Sequence, residues 1–273
     1  MTRLAIVVLA MTIGAGSLLA QGPPAGGRGG ARQAGPPPTP RAQQPFDLTG
    51  QWVSVVTEDW RWRMVTPQKG DYGSLPLTPA ARTAADAWDL QKDIAAGEQC
   101  KAFGAAAIMR LPLRVRISWQ DDTTLKIETD SGQQTRLLRF AAPGPAPVAT
   151  AAAAPAERTW QGVSTAEWFK QAQARGFGGG GGRGVVGGNL RVTTRQLRPG
   201  YLRKNGVPYS ENAVVTEYYN RHDEPNGDSW FTVTTVVDDP RNLNQPFITS
   251  SHFKKETDQS KWAPTPCVVD PPR

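Results

Sequence analysis

Between Asn189 and Lys255 the chain consists almost wholly of runs rich in Val, Thr, Tyr, Phe and Trp, cut at short intervals by turn residues. Leu190 to Leu197 is the first run, followed by the Pro199-Gly200 turn and the polar segment Arg203 to Glu211. Ala213 to Arg221 and Ser229 to Val237 come next, joined by His222 to Asp228, and Phe247 to Lys254 follows the Asp239-Pro240 break. β-Branched and aromatic side chains suit a pleated surface, while Pro-Gly, Asn-Gly and Asp-Pro supply the geometries that reverse a chain. The pattern predicts an antiparallel meander, and a meander this long must either close on itself or protect its edges.

The preceding residues extend the same reading. Phe46 to Val56 opens the folded part as a strand, and Trp60, Trp62 and Met64 alternate with Arg61 and Arg63 at period two. Leu75 to Gly97 reads as the one helix: Thr78 can cap it, Pro79 suits its first turn, and Gly97 is a natural stop. Ile108 to Trp119, Leu125 to Thr129, Thr135 to Phe140 and Trp160 to Phe169 read as strands. The Ala/Pro-rich loop at about 141–157 and the Gly-rich loop at about 170–188 read as flexible excursions. The expected fold is all-β, a single antiparallel meander barrel of roughly nine to eleven strands with one helix, spanning residues 46–273. A two-sheet β-sandwich is the alternative.

The N-terminus bears on the compartment. A short basic start ending at Arg3 precedes the apolar stretch Leu4 to Leu19, and Ala20 suits cleavage, so residues 1–20 read as a signal peptide. Residues 21–45 are rich in Gly, Pro and Ala with Arg as the only charge, and read as a disordered linker. Periplasmic or secreted localisation follows, with no membrane span after signal cleavage. The chain carries 31 Lys and Arg against 24 Asp and Glu. Four of those arginines precede Asp47, which leaves 27 basic against 24 acidic residues in the body. So nearly balanced a body argues against a nucleic-acid partner. Cys100 and Cys267, an even count in an exported chain, read as one disulfide closing a very long loop.

Two resemblances add to this. Gly50-x-Trp52 at the start of the first strand is similar to the start of lipocalin-like barrels, where the Trp closes the barrel floor. Trp160-Gln-Gly-Val-Ser164 with Trp168, Gly206-Val-Pro-Tyr-Ser-Glu211, Thr216-Glu-Tyr-Tyr-Asn-Arg221 and Val236-Val-Asp-Asp-Pro240 with Pro246 resemble a large group of exported bacterial β-rich proteins. In that group W-x-G-x-S-x-x-x-W precedes G-x-P-x-S-E, T-E-R-F-x-R and V-x-D-P. Two departures stand out: Phe169 to Gly188 intervenes after the second Trp, and Tyr218 replaces the Arg of T-E-R-F. The resemblance implies a fold and carries over no catalytic residue.

Several residues are candidates for chemistry. Glu217, Tyr219 and Arg221 share one strand face, and Arg191, Thr193 and Arg195 share another. Pointing inward, they would line a polar cavity suited to a carbohydrate or small anion; pointing outward, they are a solvated face. Trp60 and Trp62 would add stacking surface near the barrel mouth. Glu217, Arg221 and His222 are the candidate catalytic groups. With His222 and His252 the only histidines, a three-His zinc site is impossible, and no metal or other cofactor is expected. The glycine-rich run contains G-x-G-x-x-G matches without the strand-to-helix context of a phosphate cradle. The reading is an exported barrel that binds a small apolar or carbohydrate-like molecule. A hydrolase or lyase on a carbohydrate-like substrate and a cell-envelope interaction module are the alternatives.

Overall fold

The computed structural model describes residues 37–141, 157–170 and 188–273. The expected signal peptide, the linker up to residue 36 and nearly all of both excursion loops lie outside the described residues. Eleven strands form among those described: β1 Gly50–Val55, β2 Arg114–Asp121, β3 Thr124–Thr129, β4 Thr135–Phe140, β5 Val163–Lys170, β6 Gly188–Arg195, β7 Gly200–Arg203, β8 Val207–Tyr209, β9 Val214–Asp223, β10 Ser229–Asp238 and β11 Phe247–Glu256. Nine of them close into a barrel in the order β1-β11-β10-β9-β6-β5-β4-β3-β2, with β1 also bonded to β2. Closure leaves no unpaired edge, which is why the barrel and not the sandwich is the outcome.

The meander is broken at two places. β4 and β5 pair in parallel, with Leu138 opposite Ser164, so both strands run in the same direction along the wall. β6 pairs directly with β9, which displaces the β7–β8 hairpin from the wall onto one end. That end also receives the long connection from β1 to β2. We call it the capped end, and its opposite, where the β2–β3 and β9–β10 turns lie, the hairpin end.

Three segments of the β1–β2 connection differ from the sequence expectation. Trp60–Arg63 is a short helix, α1, instead of an alternating strand; Asp59 turns the chain with φ 55° just before it. The expected single helix is two, α2 Pro79–Asp86 and α3 Leu90–Ala95. Thr78 caps α2 and Gly97 stops α3 with φ +67°, as anticipated, but Asp89 starts a second cap by accepting from the Gln91 and Lys92 amides. Ile108–Arg110 is a 3₁₀ turn, so β2 begins only at Arg114. Thr159 to Gly162 likewise forms a turn before β5.

Strand alternation fills the barrel with apolar side chains. Val115 and Ile117, Leu125 and Ile127, Leu190 and Val192, and Phe231 and Val233 are all buried in one cluster with Trp52 and Phe253. Each such side chain stabilises the fold by about 1.5–3 kcal/mol. Trp52 is fully buried, its Nε1 donates to the Leu48 carbonyl at 2.9 Å, and its ring meets Phe231 edge-on at 4.9 Å. A second cluster plugs the capped end, where Ala81, Ala85, Leu202, Val207 and Tyr209 pack against Val215 and Val237 at the strand ends. Gly206 is obligatory there: φ is +80°, and a Cβ would meet the Trp88 ring system at 2.1 Å.

The last part of the expected linker is ordered. Residues 37–44 lie against the hairpin end, where two partly buried indole N–H groups find acceptors in them: Trp168 donates to the Pro40 carbonyl at 2.8 Å and Trp119 to Gln44 Oε1 at 3.2 Å. At the other terminus, Thr265 exchanges backbone hydrogen bonds with Asp130 and Gly132, and the Arg273 amide donates to the Thr66 carbonyl at 3.0 Å. Cys100 and Cys267 form a disulfide with their Cα atoms 5.1 Å apart, across a separation of 167 residues. Cys267→Ser should lower the unfolding free energy by about 2–5 kcal/mol. Urea unfolding of the variant beside the oxidised parent checks this; an unchanged midpoint would mean that the bridge adds nothing to the barrel.

Candidate functional site

Among the described residues, the barrel interior carries one charged pair. The β9 face Val215, Glu217, Tyr219 points inward, and the β4 face Arg136, Leu138, Phe140 points toward it. Arg136 and Glu217 are both fully sealed from solvent and meet side by side, Nη1 to Oε1 at 2.9 Å and Nη2 to Oε2 at 2.5 Å. Tyr219 donates its hydroxyl to Glu217 Oε1 at 3.2 Å, and Thr194 accepts from Arg136 Nη2 at 3.3 Å and shares a 2.7 Å hydrogen bond with Ser164. Burial pulls the Arg136 pKa down, but the Glu217 charge and its hydrogen bonds outweigh that and the net shift is upward. Burial, reinforced by Glu217, raises Tyr219 well above an ordinary phenol. A bidentate pair with additional hydrogen bonds is how a barrel core can tolerate two charges. It leaves Glu217 no room to meet a substrate.

The other residues singled out from the sequence are not brought together. Arg191 and Arg195 point out of the barrel because Leu190, Val192 and Thr194 take the interior face of β6; Arg191 pairs with Glu167 on the outer wall. Arg221 sits at the hairpin end, where it donates to the Asp47 carbonyl at 2.6 Å and to Asp223 at 2.9 Å. His222 lies outside on the same strand beside Glu224, and β10 separates it from His252, so the two imidazoles do not converge. Trp60 is 65% exposed on α1, and Trp62 is half-buried beside it at the capped end.

Among the described residues, each end of the barrel has a recess lined by aromatic or cationic side chains. At the hairpin end Phe46, Trp119, Phe140 and Trp168 form an aromatic cluster with ring centroids 5.2–6.4 Å apart. Phe140, Ala166, Trp168 and Phe169 wall a groove of about 510 Å³, with Gln43 and Glu167 as polar margins. Phe169 is 49% exposed, a large apolar ring left facing water.

At the capped end Trp62, Arg63, Arg110, Arg203 and Lys204 surround a small cavity of about 10 Å³. Arg63 is matched to Glu58 at 2.7 Å, Arg110 to Asp59 at 2.9 Å, and Arg61 to Asp71. Arg203 has no carboxylate partner among the described residues, although it is only 3% exposed. Its Nη2 donates to the Gly73 carbonyl at 2.8 Å and to Ser74 Oγ at 3.1 Å, and its Cζ lies 4.5 Å from the centre of the Trp62 ring. Nε and Nη1 are buried without any hydrogen-bond partner among the described residues. Burial, aided by the nearby Arg110 charge, lowers the Arg203 pKa to about 10, and burial also lowers Arg63, Arg110 and Lys204. Leaving such donors unpaired costs several kcal/mol. A bulge between Tyr201 and Arg203 produces this: it turns both Leu202 and Arg203 to the buried side of β7. Period-two reading of the sequence assigns them to opposite faces and so misses the residue.

Fold and sites together define a closed, side-chain-filled β-barrel with one end capped by helices and a hairpin. No protein-family model, no curated protein and no solved structure matches this chain. Glu217→Gln should destabilise the barrel by about 3–5 kcal/mol, because Arg136 then keeps its charge in the core without a counter-charge. Replacing both members by apolar residues, Arg136→Met with Glu217→Leu, should recover most of that loss. A double-mutant cycle in urea measures the coupling, and additive effects of the two single variants would contradict it.

Proposed function

We propose that this chain is an exported β-barrel protein that binds a small apolar or carbohydrate-like molecule at the hairpin end. The carrying observation is the groove of about 510 Å³ walled by Phe140, Trp168 and the exposed Phe169. That volume lies within the range of roughly 300–1,000 Å³ typical of small-molecule sites. The barrel interior is filled by side chains, so a ligand has to sit at an end instead of in the lumen. Flat aromatic walls offer stacking surface to a sugar face or an apolar ring, and Gln43 and Glu167 at the margin supply hydrogen-bonding groups for hydroxyls. Export is supported by the leader-like N-terminus and by the Cys100–Cys267 disulfide, which suits an oxidising compartment. Membership of the exported bacterial group with the W-x-G-x-S-x-x-x-W pattern is part of the same proposal. Catalysis by Glu217 with Arg221 and His222 has no geometric support, since the first is sealed, the second staples a strand end and the third faces outward.

Tryptophan fluorescence of the mature protein, titrated with oligosaccharides and with an apolar probe, tests the reading. Saturable quenching or a blue shift is expected with one of the two classes. Phe169→Ala should weaken that binding about two- to tenfold, the equivalent of one aromatic contact of about 0.5–1.5 kcal/mol. Saturable binding that Phe169→Ala leaves unchanged would place the ligand elsewhere.

A further inference from the structure

The cavity at the capped end asks for a negative charge. Four cationic side chains line it: Arg63, Arg110, Arg203 and Lys204. The Arg63 and Arg110 guanidiniums are committed to Glu58 and Asp59, Asp71 is held by Arg61 and by Trp62 Nε1 at 3.0 Å, and Asp270 acts on Lys204 and not on Arg203. Arg203 therefore brings an unmatched guanidinium to the cavity, with Nε and Nη1 both buried and free of any partner among the described residues. Neighbouring structure holds it there. Asn205, fully buried, donates to the Gln68 and Asp71 carbonyls at 3.0 and 3.2 Å, and Gly206 seats the turn against Trp88.

We infer that this cavity is a binding site for a small monovalent anion, held by Arg203 Nε and Nη1 with Arg110 and Lys204 around it. The space is about 10 Å³, room for a single species of water size. A halide ion fits that description, and so does one oxygen of a carboxylate carried by a larger molecule. Water alone would satisfy the donors but would not neutralise the guanidinium. Trp62 and Lys204 keep partial exposure and form the side by which an ion would exchange with solvent. The site stands at the opposite end of the barrel from the aromatic groove and does not rest on that reading.

Thermal unfolding at constant ionic strength tests the assignment, with chloride or acetate replacing a bulky sulfonate too large for the cavity. A ligand that binds only the folded state raises the melting temperature in a saturable, concentration-dependent way. A saturable rise with chloride alone supports a free halide, and a rise with acetate as well supports a carboxylate borne by a larger ligand. No rise with either anion over the sulfonate would overturn the inference. Arg203→Met should abolish the anion-specific rise, whereas retention of the full rise in that variant would also overturn it. Should Arg203→Met not fold, chloride-35 line broadening of the parent protein and its reduction by at least threefold in Lys204→Gln provide the same decision.

Discussion

The hydrogen bonds that β1 makes on both sides, to β11 and to β2, are the constraint on which the molecule turns. With them the sheet has no edge, and every inward residue of nine strands must fit one enclosed volume. Trp52, in the closing strand, occupies the middle of that volume against Phe231 and Phe253. Closure also explains the Arg136–Glu217 pair. Two charges facing a sealed interior cannot reach water, so they persist because each neutralises the other through two hydrogen bonds, although Arg136 Nε has no partner among the described residues.

Closure exports variety to the ends. The wall is regular, and the irregular parts gather at the capped end, where α2, the segments around it and the displaced hairpin cover the strand ends with their own apolar cluster. The C-terminal segment runs past the β3–β4 turn to the same end and is tied to it by the disulfide and by Arg273. The bulge that turns Arg203 inward lies in this cap and not in the wall, in keeping with bulges re-aiming side chains where regular pairing ends. The hairpin end is sealed by aromatic side chains instead, and its tryptophans draw residues 37–44 onto the barrel through their indole N–H groups.

The two ends thus differ in chemistry. One presents flat apolar rings with a few polar margins; the other encloses cations around a space for one small species. A lumen large enough for a ligand would need a thinner core than the one built from Phe231, Phe253 and Tyr219. The recesses described therefore lie at the rims and not in the interior, where inward-pointing polar strand faces would have put them.

Much of the fold was legible because it depends on local signals. Val- and Thr-rich runs between turn dipeptides placed the strands of the second half of the chain, Thr78 and Gly97 marked the ends of the helical region, and the two cysteines paired with each other. What the residues alone determined is which side chains share a face, since that follows from period two. Which face turns inward was decided by tertiary structure. β6 separates its faces, with Leu190 and Val192 against Arg191, Thr193 and Arg195, but β9 mixes polar and apolar residues on both, and Glu217 turns inward because Arg136 of β4 lies opposite. The parallel β4–β5 pairing is equally a product of contacts between residues distant in the chain, whereas the break of the helix at Asp89 is a local cap and the bulge before Arg203 belongs to a short hairpin. Local pattern sets strand and turn, but the sign of burial at a charged position depends on whether a partner across the barrel can neutralise it.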